Sequence, residues 1–153
     1  MTIQDAMDIA YLTGQRPADV RKIKRSDIRD GNLHIVQNKT GAHLRIAIEG
    51  ELRRVIERIN GRPRTVTGLY LIQDENGRAL TQDAMRSRFD KAREIAGVSF
   101  QFRDIRAKAA SDTGDLSHSQ KLLGHRSRDM TEHYVRKRIG ESVRPLRRDD
   151  KAQ

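Results

Sequence analysis

Six residues carry chemistry that could converge on one phosphate. They are Arg16 in "TGQRPADV", Lys39 in "QNKTG", Arg103 and Arg106 in "FRDIR", His125 in "LGHRS" and Tyr134 in "EHYVRK". Cutting a nucleic-acid strand without a metal makes specific demands. The phosphodiester is already an anion, and charge concentrates on its oxygens as a fifth bond forms. Arginine supplies an always-charged planar fork that fits two such oxygens. The nucleophile must form and later release a phosphoester, which tyrosine can do once neighbouring cations stabilise its phenolate. The leaving sugar oxygen needs a proton, and lysine can give one. Two arginines, a lysine, a histidine and a tyrosine are a sufficient set.

Each residue also has an ordinary reading. Arg16 fits an exposed helix start, and Lys39 a solvated turn. Arg103 and Arg106, three apart, fit one basic helix side. His125 follows Gly124 and fits a hydrogen-bonding helix end. Tyr134 lies four residues after Met130 and fits a core-facing position. Order and spacing taken together carry the chemical reading.

The elements that must position these groups can be traced along the chain. Thr2 with Asp5 suggests a capping pair. Ile3, Ala6, Met7, Ile9 and Ala10 then recur at helical spacing up to a stop at Gly14. Pro17 suits the first turn of a second helix. Asp30-Gly31 signals a tight turn. Leu33 and Ile35 alternate with polar neighbours, as do Leu44, Ile46 and Ile48, so a small antiparallel sheet is expected with Lys39 near its hairpin turn. Leu52, Val55, Ile56 and Ile59 mark an amphipathic helix ending near Gly61. "LYLIQ" reads as a short buried strand or turn. Thr81 can cap a helix whose Met85, Phe89, Ala92 and Ala96 share a face. Helices are expected over about 104–113, 117–123 and 128–138, the last capped by Ser127, with a charged tail over 140–153. The fold class is mixed α/β, mainly helical, with a small antiparallel sheet.

Composition narrows the partner. The 153 residues suit one domain. Lys and Arg number 31 against 21 Asp and Glu, a net charge of +10. That excess favours a polyanion, and nucleic acid first. There is no cysteine, so disulfides and thiolate metal sites are excluded. Stretches of 18 or more apolar residues are absent. The start lacks the basic flank of a signal peptide. A cytoplasmic protein with no membrane partner is expected. Aromatics make up 4% of residues, which weakens readings based on base stacking.

The ordered set resembles the catalytic domain of the tyrosine recombinases, the phage integrase family. "YLTGQRPADVRKIKRSDI" is similar to the family's first arginine box, with Arg16 at the first catalytic arginine and Asp19 at the acid that braces the site. "QNKTGAHLRIAI" resembles the β-hairpin whose lysine, here Lys39, protonates the leaving hydroxyl. "FRDIRAKAASD" resembles the second box, with Arg106 as the second arginine. "KLLGHRSRDMTEHYV" resembles the last two elements, with His125 and, nine residues on, Tyr134 as nucleophile. One position departs. Arg103 stands where the family usually has histidine, and an arginine can donate hydrogen bonds but cannot accept a proton.

The resemblance implies the tyrosine recombinase catalytic-domain fold over 1–139 and a charged tail over 140–153. It implies that a first helix and N-terminal DNA-binding domains lie outside this sequence, which would leave the first helix's apolar face partly uncovered. The implied function is site-specific recombination of the phage or prophage type. Strands would be cleaved and rejoined through a 3′-phosphotyrosine, without metal or cofactor. Implied partners are double-stranded attachment or crossover sites and, in a full-length protein, three further copies in a tetramer; this fragment alone is expected to be monomeric. It would act in the bacterial cytoplasm, at the nucleoid. Rival readings are a non-catalytic DNA-binding module, a strand-swivelling topoisomerase of the type IB class, and an RNA- or ribosome-binding protein.

Overall fold

In this computed structural model, residues 2–125 and 128–139 are described. The elements are α1 (Thr2–Thr13), α2 (Pro17–Lys22), β1 (Ile28–Arg29), β2 (Asn32–Val36), β3 (His43–Ala47), α3 (Gly50–Gly61), α4 (Gln82–Ala96), α5 (Asp104–Asp112), α6 (Leu116–Leu123) and α7 (Arg128–Ile139).

α1 is the central strut, packing against α2, α3, α4 and α5. Of its expected apolar face, Ile3, Ala6, Ile9 and Ala10 are buried and Met7 is half-buried against the core. The expectation that this face is partly uncovered is therefore corrected: α3 and α5 supply the cover. The Thr2–Asp5 cap is corrected as well. Thr2 already lies inside the helix, and the Asp5 carboxylate instead takes Arg58 of α3 at 2.8 Å and Arg62, just past its end, at 2.6 Å. Two guanidinium partners outcompete a helix-end amide for a buried carboxylate.

The sheet is antiparallel in the order β1-β2-β3, with Leu33 opposite Ile46 and Ile35 opposite Leu44. Leu33 and Ile35 are buried on the core face. Asp30 and Gly31 both have positive φ, 53° and 71°, the backbone that a two-residue hairpin turn requires. In α3, Leu52, Val55, Ile56 and Ile59 are all buried. Thr81 accepts from the Ala84 amide at 3.1 Å and starts α4, where Met85 and Phe89 are buried. The expected face runs out before Ala96, which is exposed where α4 leaves the body. "LYLIQ" forms isolated bridges rather than a strand, Lys24 with Tyr70 and Gln73 with Ala79, and buries Leu71 and Ile72.

α5, α6 and α7 pack on one another. Asp115 caps α6 by accepting from the Ser117 and His118 amides. α6 ends at Gly124, which has a φ of 67°. The His125 amide returns to the Gln120 carbonyl at 3.1 Å, closing a left-handed helix end of the Schellman kind. The Ser127 cap and the 140–153 tail fall outside the described residues.

Candidate active site

Three turns meet above α5. The α1–α2 turn carries Gln15 and Arg16, the α6 end carries Leu123 and His125, and the β2–β3 turn carries Lys39. Arg106 ties the first two together. It is 3% exposed, and its Nη1 donates to the Gly14 carbonyl at 2.6 Å while Nη2 donates to the Leu123 carbonyl at 2.9 Å. The same Nη2 lies 3.4 Å from His125 Nε2. A guanidinium only donates, so Nε2 is the acceptor and the ring proton sits on Nδ1, which meets Thr131 Oγ1 at 2.8 Å. His125 is 6% exposed. Burial, then the charges of Arg106 and Arg16, push its pKa down to about 4. The imidazole is neutral at neutral pH.

Arg16 stands just before α2, with Pro17 at the helix's first position. Its Nη1 is buried and finds no hydrogen-bond partner among the described residues. Buried donors are nearly always satisfied, so a bare one beside two other site residues suits an acceptor that comes from outside. Asp19 is 3% exposed. Its Oδ1 accepts from the Asn38 amide at 2.8 Å, bracing the hairpin turn against α2. Lys22 adds a second brace, Nζ to Asn38 Oδ1 at 2.9 Å.

Lys39 is exposed at the tip of that hairpin. Arg103 is exposed just before α5, so it does not share Arg106's buried side. Arg103 and Arg106 nevertheless line one open cleft of about 720 Å³, with Arg16, Arg21, Arg86 and Arg93; Lys39 does not line it. Six arginines around one cleft, with Asp90 as its acid, make a strongly electropositive groove. Tyr134 lies on α7, nine residues after His125; its backbone belongs to Arg128–Ile139, and its side chain is outside those described. Met130 is 42% exposed, so it offers no support for a core position four residues on.

A model of the phage integrase family matches residues 1–140. The chain belongs to the phage integrase family. It is 34% identical over 145 residues to the integrase of Escherichia phage HK022, an alignment covering 84% of this chain and 40% of that protein. It is also similar to a lambda integrase(75-356) dimer bound to a COC' core site. There the TM-score is 0.79 and the identity 26%, over 95% of this chain and 56% of that one. A lambda integrase tetramer bound to a Holliday junction gives a TM-score of 0.79 and 26% identity, over 94% and 45% of the two chains. The chain thus spans less than half the length of the HK022 integrase.

The integrase-family site holds residues that spacing did not single out. Gln15, Gln37 and Thr131 are each at most 1% exposed. Gln15 and Gln37 bond to each other and to the ends of α1 and α6. Their only sequence signal is position: Gln15 precedes Arg16 and Gln37 lies two before Lys39.

Proposed function

We propose that this chain is the catalytic domain of a phage- or prophage-type integrase, a DNA strand transferase. The convergence of Arg16, Arg106 and His125 on one buried, electropositive point supports this most directly. Arg16, Arg106, His125 and Arg103 hold the scissile phosphate. Tyr134 Oη gives up its proton to water, since Arg103 cannot accept one, and attacks phosphorus; the P–O5′ bond breaks, and Lys39 gives the departing 5′ oxygen its proton. Asp19 braces Arg16's turn against the hairpin. A 3′-phosphotyrosine keeps the bond energy, so a second 5′-hydroxyl can reverse the step. An arriving phosphate offsets the desolvation and the arginine charges on His125, letting the ring take a proton and donate from Nε2. Transition-state donors of this type are worth about 3–4 kcal/mol each when lost.

The reading extends to the rest of the molecule. Residues 1–139 form the catalytic domain. The substrate is a double-stranded attachment or crossover site, handled by four protomers, in the cytoplasm. Among the described residues no helix is long and apolar enough to cross a membrane.

The test is covalent trapping. A library of nicked duplexes, randomised over the crossover region, should give a protein–DNA adduct that Tyr134→Phe abolishes while folding is kept. Salt-sensitive binding with no adduct at any protein concentration would leave only a DNA-binding module. Relaxation of supercoiled plasmid without site preference would indicate the topoisomerase class.

A further inference from the structure

The buried amide of Gln37 joins all three turns of the site. Its Nε2 donates to Gln15 Oε1 at 2.9 Å and to the Leu123 carbonyl at 2.7 Å. Its Oε1 accepts from Thr40 Oγ1 at 2.7 Å. Its main chain closes the hairpin turn, accepting from the Gly41 amide at 2.8 Å and donating to the Ala42 carbonyl at 2.9 Å. Each partner of the side-chain amide touches or adjoins a site residue. Gln15 precedes Arg16, Thr40 follows Lys39, and the Leu123 carbonyl also accepts from Arg106 Nη2. The α6 end is shaped for this contact: a Cβ on Gly124 would come within 2.8 Å of the Gln37 amide.

We propose that Gln37 is a positioning residue whose amide makes the location of Lys39 depend on the assembled Arg16–Arg106–His125 pocket. The inference rests on the reading of Lys39 as the acid. Lys39 sits at the exposed tip of the β2–β3 hairpin, and loop tips are mobile unless tied down. The β2–β3 ladder fixes the strands but not the direction of the tip. Gln37 fixes that direction by anchoring the turn to the two helix ends that also seat the phosphate arginines. A buried amide with both donors and its acceptor engaged is costly to displace, so the tie is stiff. Proton delivery to the 5′ oxygen therefore needs the pocket to be in place.

The leaving group supplies a test that separates this role from plain stability. Where the bridging 5′ atom is oxygen, the P–O bond breaks as Lys39 protonates that oxygen. Where it is sulfur, the P–S bond breaks to leave a thiolate, and with a thiol pKa near 8.5 no proton is needed. Nicked duplexes of both kinds would be presented to the wild type and to the Lys39→Ala, Gln37→Met and Thr40→Val variants. Loss of alignment at the tip should cost about a hundredfold in adduct formation on the oxygen substrate for Gln37→Met. Thr40→Val, which leaves the buried amide pair intact, should lose less. All three variants should recover on sulfur.

Equal slowing of Gln37→Met on oxygen and sulfur, or no slowing at all, overturns the proposal. If Lys39→Ala itself does not recover on sulfur, the acid role of Lys39 is at fault instead. Hydrogen exchange provides a measurement independent of catalysis. Gln15→Met should speed exchange of the Gly41 amide in the hairpin while the amides of β2 and β3 keep their protection. Unchanged Gly41 exchange would refute the tie whatever the activity.

Discussion

His125 gives the site a pH dependence that can be worked out before any DNA is added. In the unfolded chain its imidazole titrates near 6.5; in the folded protein burial and the charges of Arg106 and Arg16 lower this to about 4. As pH falls, the unfolded chain binds the proton first. The stability associated with the neutral ring is therefore whole above pH 6.5, erodes between 6.5 and about 4, and is gone below. At 1.36 kcal/mol for each pH unit, the gap corresponds to about 3 kcal/mol at most. That is a large part of the roughly 5–15 kcal/mol that holds a domain together. Urea unfolding of the wild type and His125→Gln, at several values between pH 8 and pH 4, isolates the effect. The other histidines and the carboxylates are common to both proteins and drop out of the difference. The wild type should lose ground on the variant steadily as pH drops through this window. Parallel stability profiles would refute the arrangement of a neutral ring held between Arg106 and Thr131.

Arg106→Met should remove sulfate or phosphate binding and also cost about 1–3 kcal/mol, because the Gly14 carbonyl loses its buried donor while the Leu123 carbonyl keeps Gln37; calorimetry and denaturant titration check the two effects. Gly124→Ala should destabilise by more than 1 kcal/mol, since it combines left-handed backbone with a Cβ against the Gln37 amide, a loss readable as a lower Tm. Leu33→Ala, at a fully buried sheet position, should cost about 2–5 kcal/mol without changing the site's ligand preference. Asp19→Asn should leave the Asn38 contact largely intact yet lower adduct formation, if the carboxylate charge steadies Arg16's turn; a rate equal to the wild type would assign Asp19 a purely structural part.

Periodicity located the helices because their buried faces are strict: in α3 every predicted core position is buried, and in α1 every one but the half-buried Met7. It failed at Ala96 because spacing says which residues share a side, not where neighbouring elements stop covering it. It failed at Asp5 because a local capping signature cannot reveal that Arg58 and Arg62, more than fifty residues away, arrive at the same carboxylate. The site followed the same logic. Arg16, Lys39, Arg106 and His125 were legible as charged or titratable types near turns. Gln15, Gln37 and Thr131 were not, because a buried amide or hydroxyl differs from an exposed one only through partners that folding supplies. Arg103 and Arg106 looked equivalent at three-residue spacing. Only the start of α5 separates them, leaving Arg103 exposed and Arg106 under the α1–α2 turn.

That difference explains how a cation can be kept almost wholly out of water beside a second one before any phosphate arrives. Helix C-termini present carbonyls with no intrahelical partner and carry partial negative charge. The ends of α1 and α6 come together at this point. The Gly14 and Leu123 carbonyls receive Arg106, the Thr13 and Leu122 carbonyls receive Gln15, and Leu123 also receives Gln37. The guanidinium thus sits where two helix ends attract positive charge, and its hydrogen bonds meet needs that those ends would otherwise leave open. Arg16 Nη1 has no such carbonyl and finds no acceptor among the described residues. On the proposed function the division of labour is physical: Arg106 is preorganised by the scaffold, so the field it projects into the cleft would cost no rearrangement on phosphate binding, and Arg16 Nη1 would gain its acceptor from the phosphate.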